Sequence, residues 1–446
     1  MATKAKKKKP LEELLQEALV PEEEQPYEVP ENWVWVRLGD IIELLYGKPL
    51  PRNKRSGNGY PVFGSNGIVG YHTDFLLEGP IIVIGRKGSH GEVNWFNESG
   101  WPIDTTYYVK TRKNIDFKFL FYLLKNLNLK KLNRSTAIPG LNREDAYNQV
   151  IPLPPLNEQK RIAEKVQRLL NKIDKAKQLI EEAKETFELR RAAILDKAFR
   201  GELGTNNPDE EKPSVETTLS KKEIPSTQLP NNWGWVQIKD LINPMQTRNP
   251  KSINGDKFYY VDIEAIDNEK QIISSTKELS INEAPSRARR KVDKGDVIIS
   301  LVRPYLKNVA VITEQDERLI ASTAFYVCRP KKLLKTKYLY NFLRSSYATR
   351  YLILHTKGDN SPSVRSTDFE RMPIPLPPPN EQNRIAEKVE RLLSKLDEEK
   401  RFVAKVEEKL NQLKQSILSK AFRGELDTND PTEESAIELL KEILSS

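Results

Sequence analysis

Two stretches of this chain carry apolar residues at alternating steps of four and three. The first runs through Ile162, Val166, Leu169, Ile173, Ala176, Ile180, Ala183 and Phe187. The second runs through Ile385, Val389, Leu392 and Leu396, lapses at Glu399, and resumes at Val403, Val406, Leu410, Leu413 and Ile417. That spacing puts one apolar stripe along one face of a helix. A stripe sustained over several heptads needs a partner helix to bury it, as in a coiled coil. Prolines before Asn157 and Asn380 block extension backward, and each Asn is placed to cap a first turn. Arg200–Gly201 and Arg423–Gly424 supply matching stop signals, a cation followed by a glycine free to turn. The spacing therefore predicts helices over 157–203 and 380–426, each a rod of roughly 65 Å at about 1.5 Å per residue. The simplest partner for each is the other, antiparallel, with homodimerisation through either helix as the alternative.

The two helices belong to a larger duplication. IPLPPLNEQKRIAEKVQRLLNKID (151–174) and IPLPPPNEQNRIAEKVERLLSKLD (374–397) agree at 19 of 24 positions, and LDKAFRGEL (195–203) returns as LSKAFRGEL (418–426) at the same offset. Fixed length between drifting letters suggests a spacer whose length matters. VPENWVWVRLGDI (29–41) matches LPNNWGWVQIKDL (229–241), so the intervening block is longer in the second copy. Within the blocks GPIIVIGRKG (79–88) resembles GDVIISLVRP (295–304), DTTYYV (104–109) resembles STAFYV (322–327), and STAIPGLN (135–142) aligns with GDNSPSVR (358–365).

Each block reads as α+β. Trp33/Trp35 and Trp233/Trp235 sit at strand spacing, short β-branched runs such as 81–84 and 297–299 are bounded by glycine, and helix-like segments follow at about 116–131 and 336–354. The organisation is an N-terminal segment (1–28), a first block (29–156), a first helix (157–203), a linker (204–228), a second block (229–379), a second helix (380–426) and a tail (427–446). The linker is polar and proline-containing, hence loop-like. The tail opens like the linker and the N-terminal segment resembles the linker's second half, so the two chain ends are expected to meet, with the tail docking near the N-terminus.

Composition narrows the function. With 38% hydrophobic and 30% charged residues and no apolar run of about 20, a membrane span is not expected. Lys4 and Lys6–Lys9 lead into LEELLQEAL, which lacks the apolar core of a signal peptide. One cysteine, Cys328, and three histidines leave neither a disulfide framework nor a Cys/His metal cluster, so a cytoplasmic protein with no metal of its own is expected. The net charge of +9 concentrates in the blocks, with 16 Lys/Arg against 11 Asp/Glu over 31–150 and 24 against 16 over 231–373. Such surfaces suit a polyanion.

No catalytic motif stands out: there is no Walker A loop, H-E-x-x-H or Ser elbow. The runs Gly64–Gly70 and Gly85–Gly91 read as turns, and Asp262/Glu264 as a solvated face without a lysine in nuclease-like order. The proline runs read as rigid leads into the helices. Nucleic-acid-contact candidates cluster on loops: Arg52, Asn53, Lys54 and Arg55, with Arg86, Lys87, Ser89 and His90, in the first block. The second block offers Arg248, Asn249 and Lys251, the run Arg287, Arg289, Arg290 and Lys291, then Arg303, Lys307 and Arg365. Arg and Lys serve phosphates, and with Asn and Ser they can read base edges.

Two unlike blocks that open on P-x-N-W-x-W-V and close on I-P-L-P-P-x-N-E-Q-x-R-I-A-E-K-V, each leading into a helix ended by K-A-F-R-G-E-L, resemble the specificity subunit of type I restriction-modification enzymes over about residues 29–443. The resemblance implies two α/β target-recognition domains separated by two long antiparallel coiled-coil helices in a pseudo-twofold repeat. It implies a non-catalytic subunit that reads an asymmetric bipartite site in double-stranded DNA. It also implies two adenine methyltransferase subunits and two ATP-driven restriction subunits as partners, with S-adenosylmethionine, ATP and Mg held by those partners and no cofactor in this chain. The alternatives are a self-sufficient DNA methyltransferase or nuclease, and a coiled-coil adaptor without a DNA role.

Overall fold

The computed structural model describes residues 10–112, 114–133, 139–220, 223–358 and 360–445. The basic run ending at Lys9 and part of the 135–142/358–365 alignment lie outside them. The chain forms two compact units, Met1–Ile180 with Lys405–Ser446, and Glu181–Ala404.

The long helices are Leu156–Phe199 and Pro379–Ala421. Their first bonds run from Gln159 N to Pro155 O and from Gln382 N to Pro378 O, both 3.0 Å. The prolines therefore occupy the capping positions, and Asn157 and Asn380 lie inside the first turn rather than capping it. The cause is local: proline lacks the N–H that a helix start leaves unused, so a proline-led start costs no bond. At the other end Gly201 and Gly424 adopt left-handed φ of 81° and 74°. Glu202 N then reaches back to Lys197 O and Glu425 N to Lys420 O, both 2.9 Å, the bond of a Schellman cap. A Cβ on Gly201 would sit 2.4 Å from Pro230 Cγ, and one on Gly424 2.5 Å from Pro30 Cγ. Glycine is required twice over, by conformation and by the approach of the block's opening motif.

In each unit the two long helices run antiparallel. In unit one Lys165 Nζ donates to Leu426 O, and Lys177 Nζ donates to Asn411 Oδ1 over 2.6 Å. In unit two Arg190 pairs with Glu399 at 2.6 Å and Lys400 with Glu188 at 3.3 Å. Ile162, Val166 and Ile173 share a core with Ile417, Leu418 and Phe422; Ile385 and Val389 share one with Leu195 and Phe199. Ile180 and Leu396 are buried too, whereas Leu169, Leu392, Val403 and Leu410 are only half-buried, and Leu170 and Leu393 lie deeper than the first two. The apolar face is wider than a two-position seam because each helix packs on a block as well as on its partner.

Each block hangs on a two-stranded antiparallel clamp. Val34–Arg37 pairs with Val150–Leu153, placing Trp35 opposite Pro152. Gly234–Gln237 pairs with Pro373–Leu376, placing Trp235 opposite Pro375. The proline runs are thus partly strand, tolerated because a two-stranded ladder is all edge. Beyond the clamp, unit one has an antiparallel sheet in the order Ile42–Tyr46, Thr106–Thr111, Ile81–Gly85, Val93–Phe96, and a smaller sheet in the order Gly67–His72, Tyr60–Gly64, Trp101–Pro102. Unit two repeats the first as Ile242–Asn243, Phe325–Pro330, Val297–Ser300, Val309–Val311. Its second sheet, Lys277–Ser280, Lys257–Val261, Leu319–Ser322, Ala288–Lys291, keeps one parallel pair, as unit one's does. The extra strand and the hairpin of Ile266–Asp267 with Ile272–Ile273 take up the added length.

The N-E-Q-x-R signature is a junction in both units. Gln159 accepts from Asp116 N and donates to Pro154 O, both 2.9 Å. Gln382 accepts from Lys335 N at 2.8 Å and donates to Pro377 O at 2.9 Å. Each glutamine so ties the helix Phe117–Asn126 or Thr336–Leu343 to its proline run. Glu158 accepts from Trp33 Nε1 at 2.7 Å and from Asn429 Nδ2 at 2.8 Å; Glu381 accepts from Asn206 N at 2.7 Å and Thr205 Oγ1 at 2.9 Å. Arg161 grips Glu433 through both nitrogens, and Arg384 pairs with Glu210 at 2.6 Å. The described linker residues form no helix or strand, as expected of a loop, and the start of the linker is fastened by its polar side chains. In unit one Asn32 donates to Asp430 O at 3.0 Å, and the helices Leu11–Ala18 and Ala436–Ser445 share its core.

Candidate nucleic-acid interface

The turn after the central strand of each block is built alike. In unit one Leu141 N donates to Arg86 O at 2.9 Å and Gly88 N to Pro139 O at 3.2 Å. In unit two Val364 N donates to Leu301 O at 2.9 Å and Arg303 N to Pro362 O at 2.7 Å. The same brace holds both turns, so Gly88 and Arg303 are equivalent positions.

In unit one the brace gathers more than the sequence suggested. Ser65 Oγ, at the tip of the hairpin 60–72, lies 2.8 Å from both Lys87 O and Thr105 O. Exposed Tyr46 carries the Arg86 guanidinium 5.0 Å from its ring centroid and that of Arg143 at 5.5 Å. Tyr107 packs 5.1 Å from Tyr46, and burial followed by that neighbour raises its phenol pKa above the usual range. Tyr46, Ser65 and Arg143 are absent from the sequence candidates. Only Arg143 left a signal, one residue beyond the aligned segment 135–142. Two arginines on one exposed tyrosine make a cationic, aromatic face suited to nucleic acid. Lys87 and Ser89 are exposed beside it. His90 instead spans the turn, its Nε2 lying 3.0 Å from Lys130 O.

The other candidates divide by what their side chains already hold. Arg52, Asn53 and Lys54 are exposed on a 3-10 turn. Arg55 is committed, donating to Leu50 O at 3.1 Å and Val69 O at 2.7 Å. In unit two Arg248 N bonds Arg289 O and Lys291 N bonds Gln246 O, which brings 246–249 alongside the strand Ala288–Lys291. Arg289 then donates to Asn249 Oδ1 at 3.2 Å, Arg248 to Glu317 O, and Lys291 to Gln246 Oε1 at 3.2 Å. Asn249 caps the turn at Lys251. Arg287 and Lys251 are exposed, while Arg290 buries its Nε. Arg303 and Lys307 bracket the 3-10 turn Pro304–Leu306, and Arg365 is exposed ahead of the helix Ser366–Glu370. Each block thus presents two basic groups: 52–55 and 86–90 in one, 246–291 and 303–307 in the other.

Asp262 and Glu264 do meet a lysine. Pairing of Lys277–Ser280 with Lys257–Val261 brings Lys277 Nζ to 2.6 Å from Asp262 and 2.7 Å from Glu264. Hydrogen bonds to the two carboxylates raise the lysine pKa, and with Glu264 81% exposed the trio is a solvated ion cluster. Among the described residues no group of three His, Cys, Asp or Glu is placed to hold a metal, and no helix is long and apolar enough to cross a membrane.

The family described as the type I restriction modification DNA specificity domain matches residues 30–185 and 230–408. The chain is 27% identical over 410 residues to the EcoDI specificity subunit of Escherichia coli, covering 89% of each. It is 26% identical over 426 residues to the MjaVIII specificity subunit of Methanocaldococcus jannaschii, covering 89% of this chain and 94% of that one. The HsdS subunit from Thermoanaerobacter tengcongensis has the same fold, with a TM-score of 0.59 at 23% identity over 90% of this chain and 100% of that one. A chain from a structural study of complex assembly in the type I R-M system reaches 0.64 at 23% identity over the same shares.

Proposed function

The chain belongs to the family of type I restriction-modification DNA specificity subunits, and from that premise we propose that it reads a bipartite DNA site, one half with each block. The observation that carries this reading is the pairing of identical scaffolding with unlike basic faces. The clamp pairing, the glutamine bonds of the N-E-Q-x-R junction and the helix caps recur in both units. The turns they hold differ: an Arg–Tyr–Arg face in one unit, and Arg303 with Tyr305 in the other. Equal scaffolds offer equivalent seats to two identical partners, while unequal faces select different bases, so the target is asymmetric.

The chain works as a non-catalytic DNA-recognition subunit, in the cytoplasm. Each adenine methyl transfer, with S-adenosylmethionine, takes place in a methyltransferase partner; ATP-driven restriction subunits, with ATP and Mg, complete the assembly. The antiparallel helix pair sets the gap between half-sites. The test is to map methylated adenines in cells carrying the chain with its partners, then to insert one heptad into each long helix. Seven residues add about 10 Å, or about three base pairs at 3.4 Å each. Both half-sites should persist with a longer gap between them; an unchanged gap removes the spacer role. Purified chain that methylates DNA by itself would instead favour the self-sufficient enzyme.

A further inference from the structure

Resting on that reading, we propose that Arg303 is a specificity-determining residue of the second block, which reads a guanine edge in the major groove.

Arg303 has φ 50° and ψ 61°, and Lys307, four residues on, has φ 52° and ψ 42°. In this region the Cβ of an L-residue crowds its own carbonyl, so glycine is the usual occupant. Block one uses glycine there: Gly88, at φ 73°, receives the same brace. A Cβ on Gly88 would meet nothing within 4 Å, so backbone conformation alone, and not crowding, favours glycine at this place. Block two keeps an arginine against that preference, a strain of the kind that gathers at functional sites.

The turn that carries it is stiff. Arg303 N donates to Pro362 O, Leu306 N to Arg303 O at 2.9 Å, and Lys307 N to Pro304 O at 3.0 Å. Pro304 fixes its own φ, and Gln271 Nε2 holds Lys307 O at 3.3 Å. The Arg303 side chain is exposed and makes no hydrogen bond or ion pair to any described residue. By contrast, the guanidinium groups of Arg55, Arg248 and Arg289 are each bonded to protein oxygens. Tyr305 (53% exposed) and Leu306 (37%) stand beside it. A planar fork of donors on a rigid projecting turn matches the O6 and N7 of guanine. A phosphate contact would place no such demand on the backbone, because a lysine on a flexible loop serves as well.

The experiment maps methylated adenines in cells that carry the chain with its methyltransferase partners, for wild type, R303G and R303K. R303G installs the residue block one uses, so its Tm should be no lower than wild type. Its motif should lose one G·C requirement in one half-site, with about a 5- to 150-fold loss of discrimination there, while the other half-site is unchanged. R303K keeps the charge without the planar fork and should weaken the same requirement less than R303G does. An R303G motif unchanged at every position overturns the assignment. So does a uniform loss of R303G affinity with a shallower salt dependence and the same base preferences, which marks a phosphate contact, or a lowered Tm with both half-sites weakened, which marks a structural residue. A wild-type chain that yields no bipartite motif overturns the DNA-reading role itself.

Discussion

Glu158 and Glu381 occupy the same place in the repeat, yet replacing each by glutamine should have unequal consequences. Glu158 Oε2 accepts from both Trp33 Nε1 and Asn429 Nδ2, while Oε1 faces the Thr428 hydroxyl at 3.4 Å. A glutamine oxygen can take over the first position, and its NH2 can donate to Thr428. Burial raises the Glu158 pKa against the pull of these donors and of Arg161, so folding disfavours the charged form relative to the unfolded chain. E158Q should cost less than about 1 kcal/mol. Glu381 receives donors on both oxygens, Asn206 N on Oε1, and Thr205 Oγ1 and Arg384 Nε (2.7 Å) on Oε2. Burial opposes its charge here too, but the amide of Asn206, the Arg384 guanidinium and Thr205 together outweigh it and lower the pKa. Any glutamine rotamer points NH2 at a donor, so E381Q should cost about 2–3 kcal/mol, the range for a charge-assisted bond lost with a buried group left unmet. Hydrogen exchange resolves the two sites in one sample, where a global unfolding curve of a two-unit chain would not. E381Q should speed opening of residues 204–212 by about 30- to 150-fold and leave 427–436 unchanged; E158Q should leave both near wild type. Acidification separates them further. The raised Glu158 pKa gives the tail a contribution that is full below the unfolded value of about 4.3 and is lost as pH rises through the folded value. The lowered Glu381 pKa gives the linker a contribution that is full above about 4.3 and is lost as pH falls through the folded value. Equal opening of tail and linker in the two variants would refute the reasoning.

Three further outcomes follow from single sites. Gly424→Ala forces a side chain onto a left-handed backbone and into Pro30, and should cost more than about 1 kcal/mol, seen as a lower Tm, with Gly201→Ala acting alike through Pro230. Phe422 is fully buried with its ring 5.5 Å from that of Phe119, so Phe422→Ala should cost about 3–5 kcal/mol and expose unit one to protease ahead of unit two. Cys328 is buried with its thiol pKa pushed well up by desolvation, so iodoacetamide at pH 8 should leave it unmodified until denaturant is added; alkylation of native protein would contradict that burial.

The helices were legible because a stripe of one period over 40 residues has one simple reading. Their caps were half legible. Arg200–Gly201 and Arg423–Gly424 stop the helices as their chemistry dictates, but the preference of Asn for capping lost to prolines whose carbonyls take the first bonds. The N-E-Q-x-R motif was visible as repetition and opaque as chemistry, since the partners of Glu158 lie 125 and 271 residues away. Lys277 was missed for a similar reason, because a strand pairing delivers it to Asp262. Tyr46 carries no sequence signal of its own; its neighbours Arg86 and Arg143 come from two other elements. Arg303 was visible as a charge, but its backbone was not, and the backbone is what separates it from the other exposed arginines.

The clamp explains how one scaffold tolerates blocks of different size. Its paired ends are 119 residues apart in the first copy and 142 in the second. The entropy of closing a loop grows only as the logarithm of its length, so the extra residues add about 0.2 kcal/mol to closure. Register is fixed instead by side chains: Val36 lies opposite Ile151 and Val236 opposite Ile374, all buried, and a one-residue slip would break both pairs. The junction beyond is equally indifferent to the block, because Gln159 and Gln382 bind backbone atoms alone. Any block that ends in the two clamp strands and offers one backbone N–H to that glutamine meets the scaffold's requirements. Sequence between those points is free to diverge, and it is there that Arg86, Arg143 and Arg303 lie.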